Sequence, residues 1–214
     1  MKYLTIIGLS LLLPPATSWG QCSGPARGHA NLQWSEAAKV TSPDRIWEVL
    51  VHPVLNADEN RSPVTIRKCG ESKSWPLFAL QRSAELFWSL DSKYVLIVNQ
   101  PLSGTNRLLL FSVASFSTGT QGSAPDALNK TVNDTLAERL GQEKHVQFFL
   151  PKFVSWKGVD LLLAVGGATY AASDGPLVPY CYGMRINSST LHVESVLSEK
   201  ELKTTTGHSC EVSP

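Results

Sequence analysis

His192 and Glu194 stand two residues apart in Leu191-His192-Val193-Glu194, a stretch that alternates as a strand does. Successive strand side chains point to opposite faces, so these two share one face, and a carboxylate beside an imidazole suits general acid–base chemistry. The commoner meaning of such a pair is a cross-strand contact on a solvated surface. Asn56, Asp58, Glu59 and Asn60 crowd oxygen ligands of the kind calcium takes into one loop. Their spacing is not that of a calcium-binding loop, and an ordinary solvated hairpin loop accounts for them. His29 lies near Cys22 and His208 two residues before Cys210, which would supply nitrogen and sulfur ligands for a metal from both ends of the chain. In an oxidising compartment disulfides are the stronger claim on those cysteines. Gly166-Gly167 would let a ligand approach the backbone closely, although a bulge or turn in a strand is the commoner cause. Trp34, Trp47, Trp75, Trp88 and Trp156 would make a carbohydrate-binding surface if they were exposed. As core residues they would leave one or two outside, with Trp75 beside Pro76 the first choice.

No Gly-x-Ser-x-Gly elbow, His-Glu-x-x-His helix, phosphate loop or dinucleotide-binding glycine fingerprint occurs. No catalytic, cofactor-binding or metal residue is therefore assigned, and no cofactor is expected. Asn60, Asn129, Asn133 and Asn187 each begin an Asn-x-Ser/Thr pattern, which decides nothing without knowledge of the source.

The compartment is better marked. Met1-Lys2 precedes eleven largely apolar residues, Tyr3 to Leu13, and then Pro14-Pro15-Ala16-Thr17-Ser18-Trp19-Gly20. A positive start, a short apolar core and small residues before a cut form a secretory signal peptide, with cleavage expected after Gly20. Eleven residues fall short of the roughly 20 that cross a bilayer, and no later apolar run approaches that length. The expectation is a secreted or periplasmic protein: a signal peptide over 1–20, then one β-rich domain over 21–214. Cys22, Cys69, Cys181 and Cys210 all lie in the mature part, and an even count in an exported chain predicts two disulfides. Position alone favours Cys22 with Cys210, tying the termini, and Cys69 with Cys181. Without Lys2 the 19 basic residues become 18 against 18 acidic ones, which gives no electrostatic reason to expect nucleic acid or an anionic membrane as partner.

The elements follow from hydrophobic periodicity. Gln21 to Ala30 reads as an irregular arm. Strands are expected near Trp34, over Arg45–Leu55, Pro63–Cys69, Trp75–Gln81, Ala84–Trp88, Lys93–Asn99 and Arg107–Val113, the last two pairing as a hairpin. Val95 to Val98 is apolar at every position, the mark of a strand buried on both faces. Residues 114 to 125 read as a linker. Leu128, Val132, Leu136 and Leu140 then recur every four residues, which predicts a helix from about Pro125 to Leu140, with Ser123-x-x-Asp126 as a capping box and Gly141 beyond its end. Strands resume over Val146–Leu150, Lys152–Trp156 and Val159–Val165. A loop through Gly166-Gly167 and Asp174-Gly175-Pro176 leads to Val178–Ile186 and Leu191–Leu197, and Lys203–Pro214 reads as a polar tail.

One pattern repeats. Phe87-Trp88-Ser89-Leu90-Asp91-Ser92-Lys93-Tyr94-Val95-Leu96-Ile97-Val98 lies over Val154-Ser155-Trp156-Lys157-Gly158-Val159-Asp160-Leu161-Leu162-Leu163-Ala164-Val165: aromatic strand end, polar turn, apolar strand. Trp34-Ser35, followed by Ser42-Pro43-Asp44-Arg45 and the strand at Ile46, is a more degenerate third copy. The chain here resembles the blades of β-propellers of the TolB-like kind, in which a Trp-Ser-Pro-Asp-Gly-Lys turn joins two strands of a blade; Trp88, Ser89, Asp91 and Lys93 match it, and Leu90 and Ser92 depart from it. With the arm, helix and tail set aside, about 140 residues remain for blades of roughly 40 to 45 residues, enough for three blade-like units and short of the four that close a ring. The expected fold is mainly β: antiparallel blade-like sheets, as a partial propeller-like assembly or a sandwich, with one α-helix near 125–140. The resemblance implies a non-catalytic exported protein that binds another envelope or secreted protein. The alternatives are a small secreted hydrolase built on His192 and Glu194 or the Asp58 loop, and a carbohydrate-binding module.

Overall fold

The strand Tyr94–Leu102 (β7) is apolar on both faces because two different layers cover it. In the computed structural model, which describes residues 21–54, 61–102, 105–118, 125–141, 146–170 and 175–210, Val95, Leu96, Ile97 and Val98 are all at most 1% exposed. Val95 and Ile97 belong to one core cluster, Leu96 and Val98 to another. Burying four such side chains is worth up to about 6 to 12 kcal/mol before entropy is counted, comparable with the net stability of a whole domain.

The other strands are His29–Gln33 (β1), Ala38–Thr41 (β2), Trp47–Val51 (β3), Ser62–Lys68 (β4), Ser74–Leu80 (β5), Ser83–Trp88 (β6), Thr105–Ser112 (β8), Val146–Lys157 (β9), Asp160–Tyr170 (β10), Leu177–Asn187 (β11) and Val193–Ser198 (β12). Three helices, Val113–Ser117 (α1), Ala127–Leu140 (α2) and Glu199–Thr206 (α3), complete the described elements. β2-β3-β4-β5 form a four-stranded antiparallel meander. The larger sheet runs β1-β6-β7-β8-β9-β10-β11-β12 and is antiparallel except where β8 meets β9 in parallel, at Thr105 and Phe149. The mainly β, antiparallel expectation holds, as do the β7–β8 hairpin and the helix at α2. Among the described residues the sheets form no closed barrel or propeller.

The small sheet packs on one face of β6–β8, where Val49, Val64 and Ile66 meet Leu86, Trp88 and Ile97 in a shared core. On the other face α2 contributes Leu128, Val132 and Leu136, and the far half of the large sheet contributes Leu161, Leu163 and Met184. Ring contacts join that far half to the near one: Phe87 stacks on Phe153 at 4.2 Å and Tyr94 on Trp156 at 6.4 Å. α2 also covers the edge that β8 presents beyond its single parallel pair. The Leu108 N–H donates to Asn129 Oδ1 and the Leu110 N–H to the Pro125 carbonyl, so edge donors that no strand reaches are satisfied by the helix start. The N-cap is Asp126 itself, its carboxylate held by Arg107, which corrects the capping box expected from Ser123; Ser123 lies outside the described residues.

Several expectations are overturned. The disulfides join Cys22 to Cys69 and Cys181 to Cys210, with Cα atoms 5.1 and 5.5 Å apart, not Cys22 to Cys210 and Cys69 to Cys181. Each staples its own half: the arm to the end of β4, and the segment after α3 to β11. The start of the supposed linker is α1, whose buried Phe116 packs on Trp75 and Phe111. Gly166 and Gly167 lie inside β10, not in a loop. A Cβ on Gly167 would strike the Phe148 carbonyl oxygen and the Tyr180 ring, 2.7 Å from its Cζ, and the Tyr180 hydroxyl donates to that same carbonyl. Glycine is there to admit a neighbouring side chain. The supposed polar tail begins within α3, where Ser198 and Glu201 form a capping box, Gly207 ends the helix in the left-handed region and Leu202 is fully buried against β11 and β12.

Candidate functional site

Ser42-Pro43-Asp44-Arg45-Ile46-Trp47 joins β2 to β3, and Ser89-Leu90-Asp91-Ser92-Lys93-Tyr94 joins β6 to β7. The two turns share one hydrogen-bond scheme. Each serine hydroxyl donates to the aspartate Oδ1 two residues on and accepts from the N–H five residues on, at Trp47 and Tyr94. The same Oδ1 accepts the N–H of Ile46 or Lys93, and the serine carbonyl accepts the N–H of Arg45 or Ser92. Arg45 and Ser92 occupy matching left-handed positions, φ 62° and 59°, which non-glycine residues adopt only when the surroundings over-determine them. A short acceptor two residues before the bend is the device that Asx turns use. The third copy of the repeat is thus the faithful one. The Val154–Val165 copy is instead a two-residue hairpin at Gly158-Val159, between Lys157 and Asp160.

The two turns also touch: the Asp44 N–H donates to Ser92 Oγ at 3.0 Å, and Ser92 is only 3% exposed. The arm binds the first turn through Cys22 N–H to the Arg45 carbonyl and Arg45 Nη2 to the Cys22 carbonyl, while Cys69 N–H donates to the Ile46 carbonyl. It then bridges the sheets, with Arg27 N–H on the Thr41 carbonyl and Gly28 carbonyl on the Trp88 N–H. What this end of the molecule shows to solvent is Leu90, 77% exposed, and Ile46, 39% exposed, among Asp44, Arg45, Asp91 and Lys93. Burial pushes the Asp91 carboxyl up, but the hydrogen bonds from Ser89 Oγ and from the Lys93 N–H and ammonium outweigh it and hold the group below the ordinary aspartate range. Such a surface offers apolar and charged contacts; Ser42 and Ser89, whose hydroxyls pair with its aspartates, are fully buried and spent on the turns.

The residues singled out by their chemistry do not converge on it. His192 and Glu194 are both exposed, no hydrogen bond or ion pair joins them, and His192 precedes β12 instead of lying in it. Asn56, Asp58, Glu59 and Asn60 lie outside the described residues, as does the expected signal peptide. His29 stacks on Phe87 and His208 is exposed, and the cysteines they would have joined are taken up in the disulfides. The one described cluster of three metal-ligating side chains is Cys22, Glu48 and Cys69; the two thiols are spent in a disulfide and Glu48 is paired with Arg67 and Lys39. Among the described tryptophans Trp34 is the exposed one, and Trp75 is partly buried against Trp47. Ser42, Asp44, Ser89 and Asp91 are visible in the sequence, and the Ser-x-Asp that both turns share is the signal that predicts matching turns. Comparison with models of protein families, with curated proteins and with solved structures gave no match for this chain. No helix among the described residues is long and apolar enough to cross a membrane, and the two disulfides fit an extracellular or periplasmic setting.

Proposed function

We propose that this chain is an exported, non-catalytic module that binds another exported or envelope protein through the face carried by the paired Ser-x-Asp turns. The observation that carries the reading is Leu90, an aliphatic side chain 77% exposed at the tip of a turn held by five internal hydrogen bonds and braced by a second, matching turn. A surface already fixed in place loses little conformational freedom on binding, so more of the contact energy becomes affinity. Leu90 and Ile46 supply the apolar centre, and Asp44, Arg45, Asp91 and Lys93 the polar surround, which is the anatomy of a protein–protein contact. The likeness to TolB-like blades supports the same use, since the matching turns there join strands of antiparallel sheets as β2–β3 and β6–β7 are joined here.

The experiment is a crosslinking pull-down of the exported protein, run beside Leu90→Asp and His192→Ala/Glu194→Ala. Loss of the captured partner with Leu90→Asp alone is the expected result. Retention with Leu90→Asp would overturn the reading, and a hydrolytic activity of the wild type that the His192 and Glu194 variant lacks would favour the hydrolase alternative.

A further inference from the structure

The turn Asn187–His192, between β11 and β12, closes over a pocket of about 190 Å³ whose other walls come from Tyr94 of β7, Leu110 and Ser112 of β8 and Leu128 of α2. Five of its eight lining residues, Tyr94, Ser112, Ser188, Ser189 and Thr190, carry hydroxyls, and the other three are leucines. None carries a formal charge.

Ser188 is the residue that needs explaining. It is 4% exposed, its N–H donates to the Val159 carbonyl, and its hydroxyl has no hydrogen-bond partner. Leaving a buried hydroxyl unpaired costs about 1 to 3 kcal/mol, so a partner supplied from the adjoining pocket would be stabilising. Its neighbours in the chain are engaged with one another. Asn187 Oδ1 accepts from the Ser189 N–H, the Ser189 hydroxyl and the Thr190 N–H, and Thr190 Oγ1 accepts from the His192 N–H. Leu191 is held at φ 58° by the bond from its N–H to the Asn187 carbonyl, which sets its side chain into the lining. The wall is therefore preformed. Beside it, Trp156 stacks on Tyr94 and carries a second buried unpartnered polar atom, Nε1.

We propose that this pocket binds a small neutral ligand that bears several hydroxyl groups, of the size of one sugar ring. Hydroxyls both donate and accept, so a wall of them complements another polyol. The leucines meet the C–H face of such a ring. A charged ligand would lose its hydration to a wall without a counter-charge, a penalty that excludes it. The volume, about six times the roughly 30 Å³ that one water occupies in the liquid, is below the 300 Å³ at which drug-sized pockets begin.

The test is a titration of the isotopically labelled mature protein, followed through its backbone amide resonances, with D-glucose, D-galactose, N-acetylglucosamine and myo-inositol, and with glucuronate and glucosamine as charged counterparts. The expected result is saturable movement of the Ser188–Leu191 and Tyr94 amides with at least one neutral probe. The charged counterparts move them at least tenfold more weakly. Ser188→Ala and Ser188→Val, each with an otherwise unchanged spectrum, weaken that response roughly tenfold, the worth of one buried hydrogen bond. No saturable movement with any neutral probe, preference for a charged one, or unchanged binding in a folded Ser188→Ala protein would overturn the proposal. Leu90→Asp, which lies on the partner-binding face, leaves this titration unchanged, so the two sites fail separately.

Discussion

The hydroxyl of Ser92 accepts a hydrogen bond from the backbone N–H of Asp44, 48 residues earlier in the chain. The contact ties the turn of the small sheet to the turn of the large one, at the end where both emerge from their shared core. It makes one surface out of two hairpins.

Ser92→Ala removes that acceptor and is expected to cost about 1 kcal/mol, a fall in Tm of roughly 2 to 4 °C for a chain of this size. Ser92→Gly loses the same bond but relieves a left-handed backbone, and falls between the alanine variant and the wild type. Calorimetry of the three proteins checks the order; an alanine variant as stable as the wild type would show that the turns are merely adjacent.

Asp91 gives the same turn a dependence on acid. Its folded carboxyl titrates below the ordinary value of 3.8, so the unfolded chain takes up the proton first as pH falls. The contribution is complete above that value and disappears as pH drops through the lower folded one. Thermal unfolding of Asp91→Asn beside the wild type is expected to show a gap that is constant above about pH 5 and closes toward pH 2. A gap that widens on acidification would mean the wrong sign.

Gly167→Ala places a methyl group against the Phe148 carbonyl and the Tyr180 ring. Overpacking of this kind costs about 1 to 3 kcal/mol and, with backbone on one side, the upper end is expected. Tyr180→Phe removes only the hydroxyl that bonds the Phe148 carbonyl and costs about 1 kcal/mol. Chemical denaturation of both variants ranks them; equal losses would deny the close approach.

The disulfides close 47- and 29-residue separations, for which loop entropy gives roughly 4 kcal/mol each. Peptide mapping of the unreduced protein is expected to recover Cys22 with Cys69 and Cys181 with Cys210. Cys181→Ala/Cys210→Ala is expected to raise amide exchange in α3 above all, because that helix buries only Leu202 of its own.

What the sequence disclosed depended on how many residues repeated a message. β7 was legible because Val95 to Val98 are apolar on both faces, and α2 because Leu128, Val132 and Leu136 recur at helical spacing. α3 had its signals in Ser198, Glu201 and Gly207, but one buried leucine among polar residues gave no periodicity to read. Gly166-Gly167 looked like a loop because glycine marks turns locally, whereas its cause is Tyr180 on the next strand. Cysteine partners were out of reach for the same reason: pairing depends on which strand ends meet. Of the candidate surface, the Ser-x-Asp pattern of each turn was visible and the bond from Asp44 to Ser92 was not, since nothing local to either turn records the other.

The paired-turn face is the surface we propose meets a protein partner. A photoreactive residue at position 90, with one at exposed Glu138 on α2 as comparison, tests it in cells exporting the full chain. The expected result is a discrete covalent adduct from position 90, absent from position 138 and lost when Ile46 is changed to Asp. No adduct at position 90, or the same adduct from both positions, would contradict it.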